Sequence, residues 1–150
     1  MEIKEKKRIG IVFILINLIV AMLAFGLLAT AWKVNPNVKG FGTHRQLDMP
    51  SCGFLERTGY PCPTCGMTTA FSHTVRLELF QAAKVQPTGM LLALACMAIF
   101  PFCLWQGLSG RPVEKVMAWL NFNAVKILWG WAILFLAAWG YKALTVRMFG

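Results

Sequence analysis

Three cysteines in the first half of the chain are the residues best placed to do chemistry. Cys52, Cys62 and Cys65 stand in the segment CGFLERTGYPCPTCGMTTAF. Two thiols separated by two residues around a helix start can bring their Cα atoms within the ~4.4–6.8 Å that a disulfide needs. A helix is predicted to begin at about Gly66 or Met67, which places Cys65 at its N-terminal end. The helix dipole stabilises a thiolate there, and the thiolate is the reactive and metal-binding form of cysteine.

Two kinds of sulfur chemistry fit these thiols. One is structural, in which a Cys62–Cys65 disulfide or packed thiol pair braces a hairpin, or Cys52 is paired instead. The other is thiol–disulfide exchange by Cys62 and Cys65, although the chain lacks the βαβ pattern on which such pairs usually occur. Covalent haem attachment is disfavoured, because Gly66 occupies the position where the Cys-x-x-Cys-His motif requires histidine.

A metal site is the third possibility. Cys52, Cys62 and Cys65 supply three sulfurs, and His73 or His44 can supply a fourth ligand, a set that suits zinc. The spacing Cys-x9-Cys-x2-Cys lacks the second close pair of a zinc knuckle. Each histidine also has a simpler interpretation, as a loop residue or a solvated side chain. The sequence leaves the structural, exchange and metal interpretations open.

The elements that position these thiols are predicted to be membrane helices. The chain has 150 residues, of which 57% are hydrophobic and 14% charged, whereas soluble domains carry about 45–50% apolar and about 25% charged residues. Three apolar segments, at about 9–32, 88–105 and 122–144, approach or exceed the roughly 20 residues that cross a bilayer. Lys126 and Lys142 flank the apolar centre of the third, and their ammonium groups are expected to reach toward lipid headgroups. These segments predict one membrane domain spanning residues 1–150.

The thiols lie between the first two spans, in a segment that we call the cysteine hairpin (residues 42–86). Its second half has apolar residues at Met67, Phe71, Val75 and Leu79, a spacing of four that predicts an amphipathic helix over 67–85 at the membrane interface. The predicted fold class is therefore an all-α membrane protein of about three transmembrane helices, with a cysteine-containing hairpin and an amphipathic interfacial helix between the first two.

The positions of the basic residues indicate that the formal net charge of +9 serves contact with the membrane rather than binding to a nucleic acid. Basic residues cluster beside the apolar segments, where they orient the helices and contact anionic lipid. Four of them precede the first span: Lys4, Lys6, Lys7 and Arg8. This cluster predicts a cytoplasmic N-terminus and an extracytoplasmic hairpin, in a multi-pass protein of the inner (cytoplasmic) membrane. The expected partners are the lipid bilayer and another membrane protein, with no nucleic acid; Arg76 and Glu78 are expected to be solvated or interfacial charges.

The sequence around the thiols resembles a family of small bacterial membrane proteins of unknown function. Its signature, Cys-Pro-x-Cys-Gly-x-Thr between the first two transmembrane helices, matches Cys62, Pro63, Cys65, Gly66, Met67 and Thr68, with Cys52-Gly53-Phe54 upstream and Gln86-Pro87-Thr88-Gly89 opening the next span. Many members have Arg directly after the Thr and Asn before the Pro, where this chain has Thr69 and Gln86. The resemblance covers about residues 42–94. It implies a multi-span membrane protein and supplies no activity.

The function predicted from the sequence is a non-enzymatic membrane component that presents the cysteine-braced hairpin to a protein or lipid partner. One loop concentrates the patterned polar residues, and no complete catalytic set is visible. The alternatives are a membrane thiol–disulfide oxidoreductase using Cys62 and Cys65, and a structural zinc site at Cys52, Cys62 and Cys65. No cofactor is expected apart from this zinc.

Overall fold

The structure is a computed structural model that describes residues 2–109 and 114–149. In these two ranges the chain forms helices and short connections, without a β-strand. The α-helices are α1 (Glu2–Lys33), α2 (Gly53–Thr58), α3 (Met67–Val75), α4 (Leu79–Val85), α5 (Pro87–Ser109) and α6 (Glu114–Phe149), and a 3-10 helix (Thr43–Leu47) precedes α2.

Three helices carry segments that are long and apolar enough to cross a membrane. These segments are Gly10–Lys33 in α1, Pro87–Ser109 in α5 and Asn121–Leu144 in α6. Most of their large apolar side chains are exposed in the isolated chain, as expected where lipid is the solvent. The prediction of an all-α protein with three transmembrane helices is confirmed, and the chain is a multi-pass membrane protein.

Helices α1 and α5 pack against each other in antiparallel directions. The rings of Phe25 and Phe100 lie 5.6 Å apart between centroids. Further along the pair, a Cβ atom added to Gly107 would come within 2.8 Å of the Leu18 side chain. The glycine therefore lets the two backbones approach closely, as small residues do where membrane helices meet.

The amphipathic pattern over 67–85 forms two helices rather than one. Helix α3 ends at Val75, where the backbone N–H groups of Leu77 and Glu78 donate to carbonyls one turn back and Leu77 takes a positive φ of 62°. α3 packs between α1 and α5 and buries Phe71. α4 keeps Phe80 exposed. The turn allows the first helix to pack inward while the second carries the exposed apolar side chain.

Arg76 fixes the end of α1. Its guanidinium donates to the carbonyl oxygens of Ala31 (3.3 Å), Trp32 (2.7 Å) and Val34 (3.0 Å), and it lies over the Trp32 ring. Ser72 also donates to the Val34 carbonyl, at 2.6 Å. The last carbonyls of a helix lack partners within the helix, so these donors satisfy them and tie α3 to α1. Arg76 is thus half-buried and hydrogen-bonded at the end of α1. Of the solvated or interfacial charge expected from the sequence, only the solvated alternative is contradicted.

Candidate functional site

The three clustered thiols converge on one point. The Sγ atoms of Cys52, Cys62 and Cys65 all lie within 4.8 Å of one another. The closest pair, Cys62 and Cys65, is 3.2 Å apart, and the thiols are free. Cys52 directly precedes α2, and Gly59 (φ 71°) directly follows this helix. The turn at Gly59 leads the chain back, so that Cys62 and Cys65 lie next to Cys52. The structure therefore assembles all three sulfurs that the sequence proposed as redox or metal candidates.

A local turn brings Cys62 and Cys65 together. The backbone N–H of Cys65 donates to the carbonyl of Cys62 at 3.0 Å, and that of Met67 donates to the carbonyl of Thr64 at 3.1 Å. Gly66 follows with φ 83° and precedes the first residue of α3. The two-residue spacing and the glycine therefore place Cys65 directly before the helix, as the sequence predicted.

The third membrane helix also contacts this turn. Lys142 of α6 is buried, and its Nζ donates to the carbonyl oxygen of Cys65 at 2.6 Å. One turn earlier on the same helix, Trp139 donates from Nε1 to the carbonyl oxygen of Pro61 at 3.1 Å. The expectation that Lys142 extends toward headgroups is wrong, because the cysteine turn offers a carbonyl acceptor inside the protein.

Gly66 leaves room for that ammonium group. A Cβ atom at this position would fall onto Lys142 Nζ and lie 2.5 Å from the carbonyl oxygen of Gly40. The positive φ adds a second reason for glycine, since L side chains rarely adopt it. The glycine of the signature thus permits both the turn and the approach of α6.

The two near thiols differ strongly in acidity. Burial acts to raise the pKa of Cys62, but hydrogen bonds with Thr64, Cys65 and Cys52 outweigh it and hold the pKa at about 7. Burial raises the pKa of Cys65 to about 12, and its hydrogen bonds with the other two thiols act in the same direction. At neutral pH about half of the Cys62 thiols are therefore ionised, while the buried Cys65 keeps its proton.

Neither histidine joins the sulfur cluster. His73 pairs with Glu78 through a 2.5 Å contact between Nδ1 and Oε2. His44 lies 3.1 Å from the Pro50 carbonyl through Nε2 and lines the cavity that adjoins the thiols. Within the described ranges, the group that could hold a metal consists of three cysteines. The structure does not bring His73, the suggested fourth zinc ligand, to them.

The threonines of the signature have different environments. Thr69 is fully buried, and its hydroxyl bonds that of Thr43 at 2.7 Å, which connects α3 to the 3-10 helix. Thr68 lines the cavity, and among the described residues its hydroxyl has no hydrogen-bond partner. Thr69 is thus structural, whereas Thr68 offers a hydroxyl to whatever occupies the cavity.

Gln86 holds the start of α5 against the cysteine turn. Its Nε2 donates to the carbonyl oxygen of Pro63 at 2.9 Å and to the hydroxyl of Thr88 at 3.1 Å. The side chain is fully buried, and its Oε1 has no partner among the described residues. Gln86 and Pro63 therefore act together as a positioning pair, a role that the signature alone does not reveal.

A cavity of about 930 Å³ adjoins the sulfur cluster. One wall belongs to α1, with Met22, Leu23, Gly26 and Leu27, and the opposite wall belongs to the cysteine hairpin and includes all three thiols. This cavity could not be predicted from the sequence, because its walls come from segments that are distant in the chain. The thiols therefore face an apolar space that reaches along a membrane helix.

The helices and the thiol cluster together define a multi-pass membrane protein with a cysteine site at one end of its helices. Residues 52–106 match the model of a family described as Protein of unknown function (DUF2752). The match begins at the first clustered thiol, ends within α5 and supports a family of unknown function. No curated protein and no solved structure shows a significant match to the chain.

Proposed function

We propose that this protein is a membrane thiol–disulfide oxidoreductase that uses Cys62 and Cys65. The observation that carries the proposal is the unequal pair: two sulfurs 3.2 Å apart, one with a pKa of about 7 and the other buried with a raised pKa. A lowered thiol pKa at a partly exposed position marks a reactive cysteine, whereas buried structural thiols are inert. The pair therefore has one sulfur suited to contact a substrate, Cys62, and one that leaves as a protonated thiol when the disulfide opens, Cys65.

The acidity of Cys62 favours donation of a disulfide. Stabilising the reduced pair as a thiolate makes the oxidised pair a stronger oxidant. A substrate thiolate attacks Cys62 Sγ, the Cys62–Cys65 bond breaks, and Cys65 leaves with the electron pair and takes up a proton. The second substrate thiol then attacks the mixed disulfide, so that the substrate gains a disulfide and Cys62 is released as thiolate. One of the two substrate protons goes to Cys65 and the other to solvent.

The orientation proposed from the basic N-terminal cluster agrees with this direction of reaction. It places the cysteine hairpin outside the inner membrane, where protein thiols are oxidised and disulfides persist. The proposed substrates are therefore extracytoplasmic proteins with free thiols. Reporter fusions within residues 42–51 and after residue 149 test this placement, since both sites should report the extracytoplasmic side.

The redox potential of the pair tests the proposal. Purified protein in detergent is equilibrated with glutathione buffers, and its thiols are then alkylated and counted by mass spectrometry. Catalytic pairs lie at about −120 to −270 mV, whereas structural disulfides lie below about −300 mV. We expect the higher range, with loss of the mixed disulfide in Cys62→Ser and no change in Cys103→Ser, a thiol within α5. A potential below about −300 mV would instead support a bracing disulfide.

The third sulfur favours a second candidate, a zinc site at Cys52, Cys62 and Cys65. Zinc–sulfur bonds of about 2.3 Å at tetrahedral angles separate ligand sulfurs by about 3.8 Å, so the 3.2 Å pair would have to open slightly. Elemental analysis separates the candidates. Stoichiometric zinc that is lost in Cys52→Ser establishes the metal site, whereas the oxidoreductase keeps its exchange activity in that variant.

Presentation of the hairpin to a partner, the function predicted from the sequence, has less support. The thiols face a cavity between the hairpin and α1, and Cys65 is buried. A bracing pair would also gain nothing from the low pKa of Cys62. We therefore rank presentation after exchange.

A further inference from the structure

We propose that the cavity beside the thiols binds a lipid-soluble quinone, which accepts the two electrons of the Cys62–Cys65 pair. The inference rests on the proposed thiol–disulfide exchange, because an oxidoreductase that donates disulfides must be reoxidised. The proposed molecule that reoxidises the thiol pair is a quinone.

The position of the cavity points to an acceptor that arrives from the membrane. Its α1 wall includes Met22, Leu23 and Leu27, which lie inside the membrane-spanning segment and are 74%, 65% and 56% exposed. These side chains belong to the lipid-facing surface of α1, so the cavity continues that surface toward the sulfurs. A hydrophobic molecule can therefore pass from the bilayer to Cys62 along one apolar wall.

The charge of the cavity lining points to an uncharged acceptor. Among the described residues, none of the side chains that line it is Asp, Glu, Lys or Arg. The phosphates of nucleotides are bound through charge-assisted hydrogen bonds from Arg or Lys, and among the described residues no such side chain lines this cavity. A quinone carries no charge and needs a few hydrogen-bond donors for its carbonyl oxygens.

The size and the polar groups also fit. A volume of about 930 Å³ lies in the range of roughly 300–1,000 Å³ that holds cofactor-sized ligands. The Thr68 hydroxyl stands on the hairpin wall, and we assign it to a carbonyl oxygen of the quinone. The His44 ring lines the same wall, but its Nε2 already donates to the Pro50 carbonyl. A bilayer lipid fits the apolar wall equally well, but it cannot react with the Cys62 thiolate at the end of the cavity.

The two electrons of the thiol pair pass to the quinone through a covalent adduct on Cys62. The Cys62 thiolate adds to a ring carbon of the quinone, forming an S–C bond, and a quinone oxygen takes a proton from solvent. Cys65 gives up its proton and attacks Cys62 Sγ. The S–S bond forms as the S–C bond breaks, and the ring leaves with the electron pair and takes a second proton. The thiol pair is oxidised and the quinone becomes hydroquinone, with a net uptake of one solvent proton.

Gly26 offers a clean way to block the cavity. It lines the space on α1, and a Cβ atom added there meets no other atom within 4 Å. Gly26→Leu therefore fills the cavity without a clash in the helix. Gly10→Leu, on the same helix, is the matched control, because Gly10 also has open space and lies outside the cavity lining.

The experiment mixes the reduced full-length protein, in detergent and without oxygen, with a decyl-substituted benzoquinone. We expect loss of one equivalent of quinone absorbance and formation of the Cys62–Cys65 disulfide by mass spectrometry. Gly26→Leu should slow both at least tenfold, whereas Gly10→Leu should not. Exchange with glutathione disulfide should be the same in wild type and in Gly10→Leu. The Cys62→Ser variant gives the background rate of the reagent.

The outcomes separate the two proposals. A wild-type pair that exchanges with glutathione disulfide but leaves the quinone unreduced overturns the quinone site and keeps the oxidoreductase. A pair that reacts with neither overturns the oxidoreductase. Quinone reduction at the wild-type rate in Gly26→Leu would show that the acceptor does not use this cavity. Quinone that binds without oxidising the thiols would leave only a lipid-like ligand, and the inference would fail.

Discussion

The Nζ atom of Lys142 lies 2.6 Å from the carbonyl oxygen of Cys65, although 77 positions separate the two residues in the chain. Together with the Trp139–Pro61 hydrogen bond, this contact connects α6 to the cysteine turn. These two hydrogen bonds hold the third membrane helix against the cysteine turn, and the buried Lys142 side chain lies beside Cys65.

Replacement of this lysine should loosen the site. In Lys142→Met the Cys65 carbonyl loses a buried partner, which typically costs about 1–3 kcal/mol. We expect Cys65 to react with maleimide several-fold faster, as measured by mass spectrometry of detergent-solubilised protein. Lys126→Met is the control, because Lys126 is exposed on the same helix and lies over the Phe122 ring. Equal protection of Cys65 in both variants would show that α6 does not support the turn.

The reactivity of Cys62 should depend on pH around neutrality. Only the thiolate is alkylated at an appreciable rate, so a pKa of about 7 predicts an iodoacetamide rate that rises with pH and is half-maximal near that value. An ordinary cysteine would remain largely protonated there. Thr64→Val removes the strongest hydrogen bond that lowers this pKa, so the midpoint should move upward. Thr58→Val, which removes a hydroxyl bonded to the Phe54 carbonyl, should leave the midpoint unchanged.

The membrane helices and the near thiol pair could be predicted because both depend on short stretches of sequence. A run of apolar residues identifies a span from its own composition. The Cys62–Cys65 turn closes on itself through a bond between neighbouring backbone groups. The position of Gly66 at the start of α3 could also be predicted, because it depends on the adjacent residues alone.

The rest of the site depends on contacts that the sequence does not encode locally. Lys142 appeared to be a snorkelling residue because its flank gave no sign of the Cys65 carbonyl. Arg76 was predicted only as a solvated or interfacial charge, because the pattern around it gives no sign of its hydrogen bonds to the end of α1, 42 to 45 positions earlier. The cavity is the extreme case, because its α1 wall has no motif and lies far along the chain from the hairpin wall.

Arg76 should contribute to stability through its hydrogen bonds to α1. Hydrogen bonds to a charged group are worth about 1.5–3 kcal/mol, and several carbonyls share this guanidinium. Arg76→Met should lower the free energy of unfolding by about 2 kcal/mol, measured in mixed detergent micelles by tryptophan fluorescence. Arg57→Met, at an exposed position of α2, should change it by less than about 0.5 kcal/mol. Similar values for the two variants would mean that the end of α1 is held by other groups.

Gly66 and Gly59 have nearly the same backbone conformation but different surroundings. Substituting each with alanine therefore distinguishes the cost of the positive φ from the cost of a steric clash. Gly66 has φ 83° and Gly59 has φ 71°, so an alanine at either pays the left-handed penalty of about 1–2 kcal/mol. A Cβ at Gly59 meets nothing within 4 Å, whereas one at Gly66 meets the Lys142 ammonium and the Gly40 carbonyl. Overpacking of this kind adds about 1–3 kcal/mol. We therefore expect Gly66→Ala to be the more destabilised variant by that amount in the same micelle assay.

The rate of maleimide labelling of Cys65 should also differ between Gly66→Ala and Gly59→Ala. In Gly66→Ala the added methyl group displaces Lys142 from the Cys65 carbonyl, so maleimide labelling of Cys65 should accelerate as it does in Lys142→Met. Combining the two substitutions should then add little, because both remove the same contact. Gly59→Ala should leave the labelling unchanged. Additive effects in the double variant would show that Gly66 acts through the turn alone, and that the approach of α6 does not require a glycine there.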